Sequence, residues 1–313
     1  MYKNLSIGVA VPAYNEEKLI EKTLTTLPKF VDHVVVINDC STDKTHEIIS
    51  KIAKKDKRIV LLDNEVNRGI GFSLTKGLKK TVELGADRVA VMAGDAQMDP
   101  KQLAPMLEAM EKDSLDYIKG NRFMHFDALR SMPTYRRFGN IVVTILTKFA
   151  TGYYSIFDTQ NGYVVYTKDV IERMPWHFIG NRYEFENTVL IGLSIIDAKV
   201  GDFPMPAIYG EEKSTIKLFS TTARVLGVLF RGFWQRIYYK YILYGFHPIA
   251  LFLCTGLLLI ICGVAASGIV TFDRILHGAT PTAGTIMLVV LPLILGVQLL
   301  LTALVLDVIE EKR

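Results

Sequence analysis

The amino-acid sequence predicts an α/β domain with a mainly parallel sheet, followed by amphipathic helices and two transmembrane helices. Short apolar runs alternate with helix-like segments over the first third of the chain. Polar side chains follow these runs, and two long uncharged stretches lie near the C-terminal end. A chain of 313 residues with a net charge of +4 has room for such a domain and a membrane-bound tail.

The N-terminal region alternates between strand-like and helix-like segments. Strands are predicted over residues 7–11, 34–38, 59–63 and 89–92. Helices are predicted over residues 16–27, 43–54 and 71–84. Helices that connect short apolar strands indicate a mainly parallel sheet with both faces covered. Ligands bind such sheets beyond the carboxyl ends of the strands.

The residues that follow the four strands are therefore the first candidates for a functional site. They are Pro12, Tyr14 and Glu16, then Asp39, then Asn67, Gly69 and Gly71, and then Asp95 and Gln97. A carboxylate placed directly after a buried strand, as Asp95 is, loses hydration unless something pairs with it. Carboxylate and amide oxygens are suitable ligands for a hard cation, so Asp95 and Gln97 predict a metal site.

Some residues of these loops also have purely structural interpretations. Asn15 suits the N-cap of the first helix, with acidic residues behind it in the first turn. Asp99 precedes a proline and suits the N-cap of a later helix. Gly69 and Gly71 suit a turn that needs a positive φ.

Two stretches near the C-terminal end contain no charged side chain. They run from Pro248 to Phe272 and from Ala279 to Leu306. Each exceeds the roughly 20 residues that a helix needs to cross the hydrocarbon core of a bilayer. A buried helix of a soluble protein is the alternative for either stretch alone, but two in succession predict a transmembrane hairpin.

Basic residues flank both predicted spans on the same side. They are Lys213, Lys217, Arg224, Arg231, Arg236 and Lys240 before the first span, and Lys312 and Arg313 after the second. The loop between the spans carries only Arg274 and His277 as basic residues. Because basic flanks stay in the cytoplasm, we expect both flanks there. The first apolar run is short and ends at Pro12, so no signal peptide is expected and the N-terminal domain is predicted to be cytoplasmic.

The segment before the first span combines apolar and basic residues at helical spacing, which is typical of helices in the membrane interface. Packing against the N-terminal domain is the alternative. The predicted organisation is an N-terminal domain over residues 1–212, interfacial helices over 213–246 and a transmembrane hairpin over 247–313. No basic cluster with interleaved aromatic residues occurs in the N-terminal two thirds, so nucleic acid is not expected as a partner. Cys40, Cys254 and Cys262 have no metal-binding spacing.

Three short segments carry a resemblance to a known family. Residues 11–17 (VPAYNEE), 36–43 (VINDCSTD) and 94–100 (GDAQMDP) resemble the N-terminal motifs of the family-2 glycosyltransferases. Residues 120–123 (GNRF), residues 158–163 (DTQNGY) and the two-helix tail resemble the polyprenyl-phosphate glycosyltransferases, the class that contains the dolichyl-phosphate mannose synthases. The resemblance implies a Rossmann-like glycosyltransferase-A fold.

The resemblance also implies a role for most of the strand-end residues. Pro12, Tyr14, Glu16 and Asp39 would line the nucleoside pocket of a UDP- or GDP-sugar, together with Asn67 and Gly69. Asp95 and Gln97 match the second acid and the amide that hold Mg²⁺ or Mn²⁺ in the family, whereas Ala93 stands where relatives have the first acid. One carboxylate in place of two implies a weaker metal site that relies on nucleotide phosphates.

The implied acceptor, a polyprenyl phosphate, is mostly a dianion at neutral pH and needs cations more than a general base. Arg122 matches a family arginine, and Arg136 or Arg137 is the second candidate for the phosphate. Lys213 is a further candidate, because the family has a lysine next to a serine in this region.

Glu184 and Glu186 are the candidates for an acid that acts as a base in relatives that glycosylate hydroxyl groups. With a phosphate acceptor, that acid contacts sugar hydroxyls or only begins a helix.

The predicted function is the inverting, metal-dependent transfer of a hexose from a nucleoside-diphosphate sugar to dolichyl or undecaprenyl phosphate. Two alternatives stay open: transfer to a lipid or polysaccharide hydroxyl, and a weakly catalytic nucleotide-sugar-binding subunit of a membrane complex. Polar residues and glycines in the two spans allow a homo-oligomer.

Overall fold

The computed structural model describes residues 1–123, 134–182, 184–206, 218–243, 245–278 and 280–311, with side chains described except over 134–140 and 218–224. The chain divides into two compact units, Met1–Phe233 and Trp234–Arg313. The division into three parts at residues 212 and 246 stays a prediction.

The first unit contains the sheet and the helices that cover it. Its strands are β1 (Ile7–Ala13), β2 (His33–Asn38), β3 (Ile59–Asp63), β4 (Arg88–Val91), β5 (Tyr117–Asn121), β6 (Val164–Thr167) and β7 (Val200–Pro204). Its helices are α1 (Ile20–Thr25), α2 (Thr45–Lys55), α3 (Ile70–Glu83), α4 (Leu103–Lys112), α5 (Thr134–Thr151), α6 (Lys168–Arg173), α7 (Phe185–Ile195) and most of α8 (Leu218–Arg236). Short 3₁₀ turns occupy Pro100–Gln102 and Trp176–Phe178.

The seven strands form one sheet in the order β3-β2-β1-β4-β6-β5-β7. β1 pairs in parallel with β2 and β4, and β2 pairs in parallel with β3. β6 runs antiparallel to both β4 and β5, and β7 is parallel to β5. The predicted mainly parallel sheet is confirmed, and its four N-terminal strands lie within two residues of the predicted bounds.

Two hydrophobic cores, one on each side of the sheet, confirm that helices cover both faces. One core joins alternate residues of β1 and β2 to α1, α2 and α4, for example through Ile20, Ile49 and Met106. The other joins the opposite residues of the same strands to α3, α6 and α7, for example through Leu78 and Leu190. Because successive strand residues point to opposite faces, near-continuous apolar strands suit this arrangement.

The first helix begins later than predicted. α1 starts at Ile20 and its N-cap is Leu19, so the N-cap role predicted for Asn15 is wrong. Asn15 has a φ of 57°, and its Oδ1 accepts a hydrogen bond from the backbone N of Thr42 at 2.8 Å. A bond across the sheet edge between two loops thus replaces the local cap. Asp99 is an N-cap as predicted, because its carboxylate accepts from the backbone N of Lys101 at 3.0 Å.

The second unit is a pair of long apolar helices with the segment that leads into it. A π-helix occupies Ile237–Leu243, and α9 (Pro248–His277) and α10 (Ala283–Glu310) follow. Both helices are long and apolar enough to cross a membrane. They pack closely, because an added Cβ on Gly296 would lie 2.9 Å from the carbonyl oxygen of Gly256.

A buried ion pair joins the two ends of the second unit. Arg236 donates from Nη1 to Asp307 Oδ1 at 2.7 Å and from Nη2 to Oδ2 at 2.9 Å, and Tyr241 donates its hydroxyl to Oδ1 at 2.5 Å. Arg236 and Asp307 are both buried. The predicted basic flank therefore includes one residue that is fixed to the second apolar helix.

Candidate active site

A pocket with a volume of about 400 Å³ opens at the carboxyl ends of β1, β2 and β4, beside the loop between β3 and α3. This size is within the usual range for small-molecule sites. The lining residues are Pro12, Ala13, Tyr14, Glu16, Asp39, Asn67, Gly69, Ile70, Ser73, Ala93, Gly94, Asp95 and Arg182. Every residue predicted to bind a nucleotide thus lines one pocket, and so does Asp95. Gln97 is not among these lining residues.

Asp39 organises the loop that forms one wall of the pocket. Its Oδ1 accepts hydrogen bonds from Asn64 Nδ2 at 2.8 Å and from the backbone N of Arg68 at 3.0 Å, and its Oδ2 accepts from the backbone N of Gly69 at 2.8 Å. Asp39 is buried. Each carboxylate oxygen accepts about two hydrogen bonds. Oδ2 accepts one hydrogen bond among the described residues and therefore retains acceptor capacity in a residue that lines the pocket.

Gly69 and Gly71 allow a distant segment to close over the same loop. Gly69 has a φ of 93°, and a Cβ there would lie 2.6 Å from the carbonyl oxygen of Asn181. That oxygen accepts from the backbone N of Gly71 at 2.9 Å and of Phe72 at 3.2 Å, so it caps the start of α3. Gly69 thus has the positive φ of the predicted turn, whereas Gly71 lies inside α3 without a positive φ, so the turn predicted for Gly71 is wrong. At Gly71 the missing side chain allows the close approach of the backbone of Gly180 and Asn181.

Arg182 enters the pocket through this closure, and the sequence interpretation did not assign it. Among the described residues that line the pocket, Arg182 is the one basic side chain, beside the acids Glu16, Asp39 and Asp95. A guanidinium suits the oxygens of a phosphate group. Arg182 lies more than 100 residues beyond Gly69 in the chain, and only the packing of its segment onto α3 brings the two together.

Asp95 lines the pocket and lies in a tight turn. Its Oδ1 accepts from the backbone N of Gln97 at 3.0 Å, and Ala96 between them has a φ of 55°. Burial raises the pKa of the Asp95 carboxyl, and the backbone hydrogen bonds oppose this only partly. Ionising a carboxyl in such a place becomes favourable when a cation binds it.

The oxygen atoms that the pocket offers suit a divalent cation that a bound ligand also coordinates. Within the described ranges, no three His, Cys, Asp or Glu side chains form a metal-binding group. Asp95 provides a carboxylate at the pocket wall, and Ala93 beside it provides no donor from its side chain. Mg²⁺ commonly binds through one or two carboxylates and keeps phosphate oxygens and waters as its other ligands.

A second cluster of polar residues surrounds the ends of β5 and β7. Arg122 follows β5 and forms a bidentate ion pair with the buried Asp158, with Nε 2.7 Å from Oδ2. Arg122 is the residue predicted to bind the acceptor phosphate, and Asp158 begins the segment 158–163 that resembles the family. The structure shows that the arginine of one segment is oriented by the acid of the other.

Two further charged residues lie next to this pair, the buried Lys119 and the partly buried Asp202, and the sequence interpretation singled out neither. Lys119 is fully buried in β5 and donates its ammonium to the carbonyl oxygen of Asn161. Burial lowers the pKa of Lys119, and the carboxylates of Glu186 and Asp158 oppose this. Burial raises the pKa of the Glu186 carboxyl, and Lys119 opposes that shift.

The structure describes some of the other predicted site residues fully, some without their side chains and one not at all. Glu184 directly precedes α7 without capping it, and its Oε2 is buried with no hydrogen-bond partner among the described residues. Glu184 does not line the described pocket. Arg136 lies in α5, but its side chain is outside the described residues, as is Arg137. Lys213 lies outside the described residues altogether.

Comparison with known proteins relates this site to one family. Residues 8–175 match the sequence profile of "Glycosyl transferase family 2". The chain is 28% identical over 218 residues to a UDP-N-acetylglucosamine–dolichyl-phosphate N-acetylglucosaminyltransferase of Methanococcus voltae, an alignment that covers 66% of this chain and 86% of the relative. It is 25% identical over 198 residues to an undecaprenyl-phosphate mannosyltransferase of Micrococcus luteus, which covers 61% of this chain and 80% of that protein.

A solved structure shares the fold. The glucosyl-3-phosphoglycerate synthase of Mycobacterium tuberculosis, in complex with Mn²⁺, UDP-glucose and phosphoglyceric acid, superposes with a TM-score of 0.57 at 18% identity. The superposition covers 74% of this chain and 80% of the synthase. This chain therefore shares the fold of the synthase over about three quarters of its length.

Proposed function

The chain belongs to glycosyl transferase family 2, and from this membership we propose that it transfers a sugar from a nucleoside diphosphate to a polyprenyl phosphate at a membrane surface. One observation carries the proposal: a single chain combines a nucleotide-sized pocket, formed by the predicted residues, with two helices long enough to cross a bilayer. The two relatives named above are polyprenyl-phosphate glycosyltransferases, and their sugars differ. The sugar of this enzyme therefore has to be measured.

The pocket is proposed to bind the nucleoside-diphosphate sugar. Asp39 would accept a hydrogen bond from the base or ribose through Oδ2, because the loop that holds it leaves that capacity open. Tyr14, which is 47% exposed, would contact the nucleoside. Arg182 would bind the diphosphate, since it is the basic side chain among the described lining residues.

Asp95 is proposed to hold Mg²⁺ or Mn²⁺, with Gln97 as a second ligand. A bound divalent cation would neutralise the charge that develops on the departing nucleoside diphosphate. The solved relative was crystallised with Mn²⁺ and UDP-glucose, which supports this assignment. The single carboxylate makes the cation depend on the diphosphate for further ligands.

The lipid phosphate is proposed to bind near Arg122. One of its oxygens would attack the anomeric carbon as the bond from that carbon to the β-phosphate oxygen breaks, which inverts the configuration. The second pKa of a phosphate monoester is about 6, so the attacking oxygen carries no proton that a base must remove at neutral pH. Arg136 and Lys213 are further proposed contacts of this phosphate.

The proposed topology places the glycosyltransferase domain and both termini in the cytoplasm. Basic residues lie before the first apolar helix and after the second, which supports this orientation. The acceptor headgroup would then be reached from the cytoplasmic leaflet, where nucleotide sugars are available to the domain.

A second candidate function is transfer to a hydroxyl group. The buried Oε2 of Glu184, which has no hydrogen-bond partner among the described residues, and the raised pKa of Glu186 are features of a potential general base. A hydroxyl acceptor needs such a base, whereas a phosphate dianion does not.

The test is mass spectrometry of lipid products. Detergent-purified protein is incubated with undecaprenyl or dolichyl phosphate, Mg²⁺ or Mn²⁺, and one of several UDP- or GDP-sugars. We expect a monophosphate-linked sugar with one donor, and its loss on chelation. If no lipid phosphate is glycosylated while a lipid hydroxyl is, and if Glu184→Gln or Glu186→Gln abolishes that activity, the hydroxyl function replaces the proposal.

A further inference from the structure

Lys119 lies at the middle of β5, and within the described part of the chain it is the one lysine that is fully buried. Removing an ammonium group from water is costly unless the fold supplies partners for it. The carboxylates of Glu186, Asp158 and Asp202 attract this ammonium and offset part of the cost. An apolar side chain would fill the position without any such cost, so the charge needs a reason other than packing.

The hydrogen bond of Lys119 shows what the ammonium holds. Its Nζ donates to the carbonyl oxygen of Asn161, which lies in the turn formed by residues 158–163. The Asn161 side chain returns to the same strand, because its Nδ2 donates to the carbonyl oxygen of Gly120 at 2.8 Å. The backbone N of Gly120 donates to the carbonyl oxygen of Tyr163 at 2.9 Å. Three hydrogen bonds thus fasten the 158–163 turn to β5, and the charged group makes one of them.

The first residue of the 158–163 turn reaches the acceptor side of the proposed site. Asp158 accepts from the backbone N, from Nε and from Nη2 of Arg122, at 3.1, 2.7 and 3.1 Å. Arg122 is the proposed contact of the lipid phosphate. The position of its guanidinium therefore depends on where the turn places Asp158.

The last residues of the turn reach the donor side. The hydroxyl of Tyr163 donates to the carbonyl oxygen of Asp99 at 3.2 Å. An added Cβ on Gly162 would lie 3.3 Å from Cε of Met98, so the turn also packs against that side chain. Met98 and Asp99 directly follow the two proposed metal ligands in the chain. The turn thus connects the loop of the proposed metal site with the arginine proposed for the acceptor.

We propose that Lys119 is a positioning residue, which holds the 158–163 turn and thereby sets the place of Arg122 relative to the metal loop. Lys119 is 0% exposed, so it acts through Asn161 and Asp158 without touching a substrate. Transfer between two bound groups depends steeply on their separation, since a displacement of about 1 Å can reduce a rate about a hundredfold. The inference rests on the proposed function, because that function makes Arg122 and the metal loop two halves of one site.

The first test measures hydrogen exchange of the full-length protein in detergent. Lys119→Met keeps a long unbranched side chain and removes the donor. The backbone N–H groups of Arg122 and Tyr163 donate to side chains of the turn, so their exchange reports whether the turn stays in place. We expect peptides over residues 120–123 and 158–163 to exchange about fivefold faster or more in Lys119→Met, and peptides over β2 to be unchanged.

The second test separates binding of the two substrates. In Lys119→Met the KM for undecaprenyl phosphate should rise roughly fivefold or more, whereas the Kd of the nucleoside diphosphate that the parent binds should change by less than about twofold. A lower folded fraction reduces the concentration of active enzyme and leaves KM unchanged. A raised KM for the lipid alone therefore distinguishes positioning from a loss of stability.

Two further variants serve as a control and as an independent probe. Tyr166→Phe removes a buried hydroxyl from the neighbouring strand β6, where it bonds to Tyr117 and not to the turn, so KM and exchange of the turn should match the parent. Asn161→Ala loosens the same turn without removing a charge, and should reproduce the faster exchange and the raised KM. A cooperative thermal transition shows that each variant is folded.

Two results would overturn the proposal. Parent-like exchange of the turn in folded Lys119→Met would show that the ammonium does not hold it. Faster exchange with an unchanged KM for the lipid would show that the turn does not set the place of Arg122. If Lys119→Met does not fold, Asn161→Ala decides by the same two criteria. If the parent transfers no sugar to lipid phosphate, the proposed function fails and with it the role of Lys119 in placing the acceptor, whereas the exchange measurement still shows whether Lys119 holds the turn.

Discussion

Two nitrogens of the Arg122 guanidinium donate to the two carboxylate oxygens of Asp158. Arg122 Nε lies 2.7 Å from Asp158 Oδ2, Nη2 lies 3.1 Å from Oδ1, and the backbone N of Arg122 also donates to Oδ2 at 3.1 Å. The Asp158 side chain is 0% exposed and that of Arg122 is 34% exposed. A buried acid thus fixes the direction of an arginine that reaches the surface.

This pair predicts that a structural and a functional role of Arg122 can be separated. Arg122→Ala leaves a buried carboxylate without its partner, which should cost about 3–5 kcal/mol of stability. The double variant Arg122→Met with Asp158→Asn leaves no buried charge without a partner. The side-chain amide oxygen at position 158 can still accept from the backbone N of residue 122. We expect the double variant to recover most of the thermal stability and not the transfer to lipid phosphate. Recovery of both would show that Arg122 does not bind the acceptor.

Asp95 predicts an unusual dependence on pH. Because burial raises the pKa of its carboxyl, a proton competes with the cation at a higher pH than for an ordinary aspartate. Metal-dependent turnover should therefore fall as the pH decreases through that raised pKa, and should be full above it. The measurement is the pH profile of kcat/KM at fixed free Mg²⁺.

Substitution at Asp95 has a matched control. Asp95→Asn should reduce metal-stimulated turnover on the order of a hundredfold, since it removes the anionic ligand, while nucleotide still binds in a chelator. Asp99→Asn changes a nearby acid that only caps a helical turn, and should retain metal stimulation. Equal losses in both variants would argue for a general effect on the loop.

Arg182 predicts a loss of donor affinity. Arg182→Ala should weaken binding of the nucleoside diphosphate about tenfold or more, because a charge-assisted hydrogen bond contributes about 1.5–3 kcal/mol. Arg182→Lys should bind with intermediate affinity, since it keeps the positive charge but loses the planar guanidinium that can donate two parallel hydrogen bonds. Arg68→Ala is the control: this arginine lies over the Phe72 ring and does not line the pocket. Calorimetric titration with UDP and GDP would measure all three.

The strand-end residues of the pocket could be predicted from the sequence because their positions follow from the topology. Four parallel strands bring their carboxyl ends to one edge, so Tyr14, Asp39 and Asp95 had to lie near one another. β3 was predicted with its observed bounds, since its apolar run is short and flanked by polar residues.

The remaining site residues depend on contacts between distant segments, which periodicity does not report. Arg182 reaches the pocket because Asn181 caps α3, and α1 begins late because Asn15 bonds to Thr42. Lys119 and Asp202 are single charged residues within strands, and the local sequence pattern does not show that the fold buries Lys119 fully and Asp202 in part. A glycine directly before a helix, as at Gly69, is the one sequence signal that could have indicated such a close approach; the predicted turn did not include it.

Asp202 predicts that the first unit loses stability as the pH rises. Burial raises the pKa of its carboxyl to about 6, opposed by hydrogen bonds from Phe157 and Asn121, and its Oδ1 is buried with no partner among the described residues. Between the ordinary value of about 4 and this value, the folded chain holds a proton that the unfolded chain has lost. The contribution of Asp202 to stability is therefore fully present below this window and is lost as the pH rises through it.

The Asp202→Asn variant should abolish this dependence. Its amide oxygen still accepts from Asn121 and Phe157, and no ionisation is required, so the variant should be more stable than the parent at neutral pH by about 1–2 kcal/mol. Asp113→Asn, at an exposed acid, is the control. Apparent melting temperatures at pH 4.5 to 8 measure the effect, and parallel curves for parent and Asp202→Asn would contradict it.

The glycines of the apolar helix pair predict opposite effects of the same substitution. At Gly296 an added methyl group would lie 2.7 Å from Ile260 Cγ1 and 2.9 Å from the carbonyl oxygen of Gly256, so α9 and α10 must separate. Overpacking of this kind costs about 1–3 kcal/mol. At Gly268, in the same helix pair, an added methyl group meets nothing within 4 Å. Gly268→Ala should therefore be neutral or stabilise α9, because alanine favours a helix over glycine by about 0.5–1 kcal/mol.

Unfolding in detergent at increasing SDS would show a lower midpoint for Gly296→Ala and an unchanged or higher one for Gly268→Ala. Equal midpoints would mean that the helix pair does not pack through its glycines.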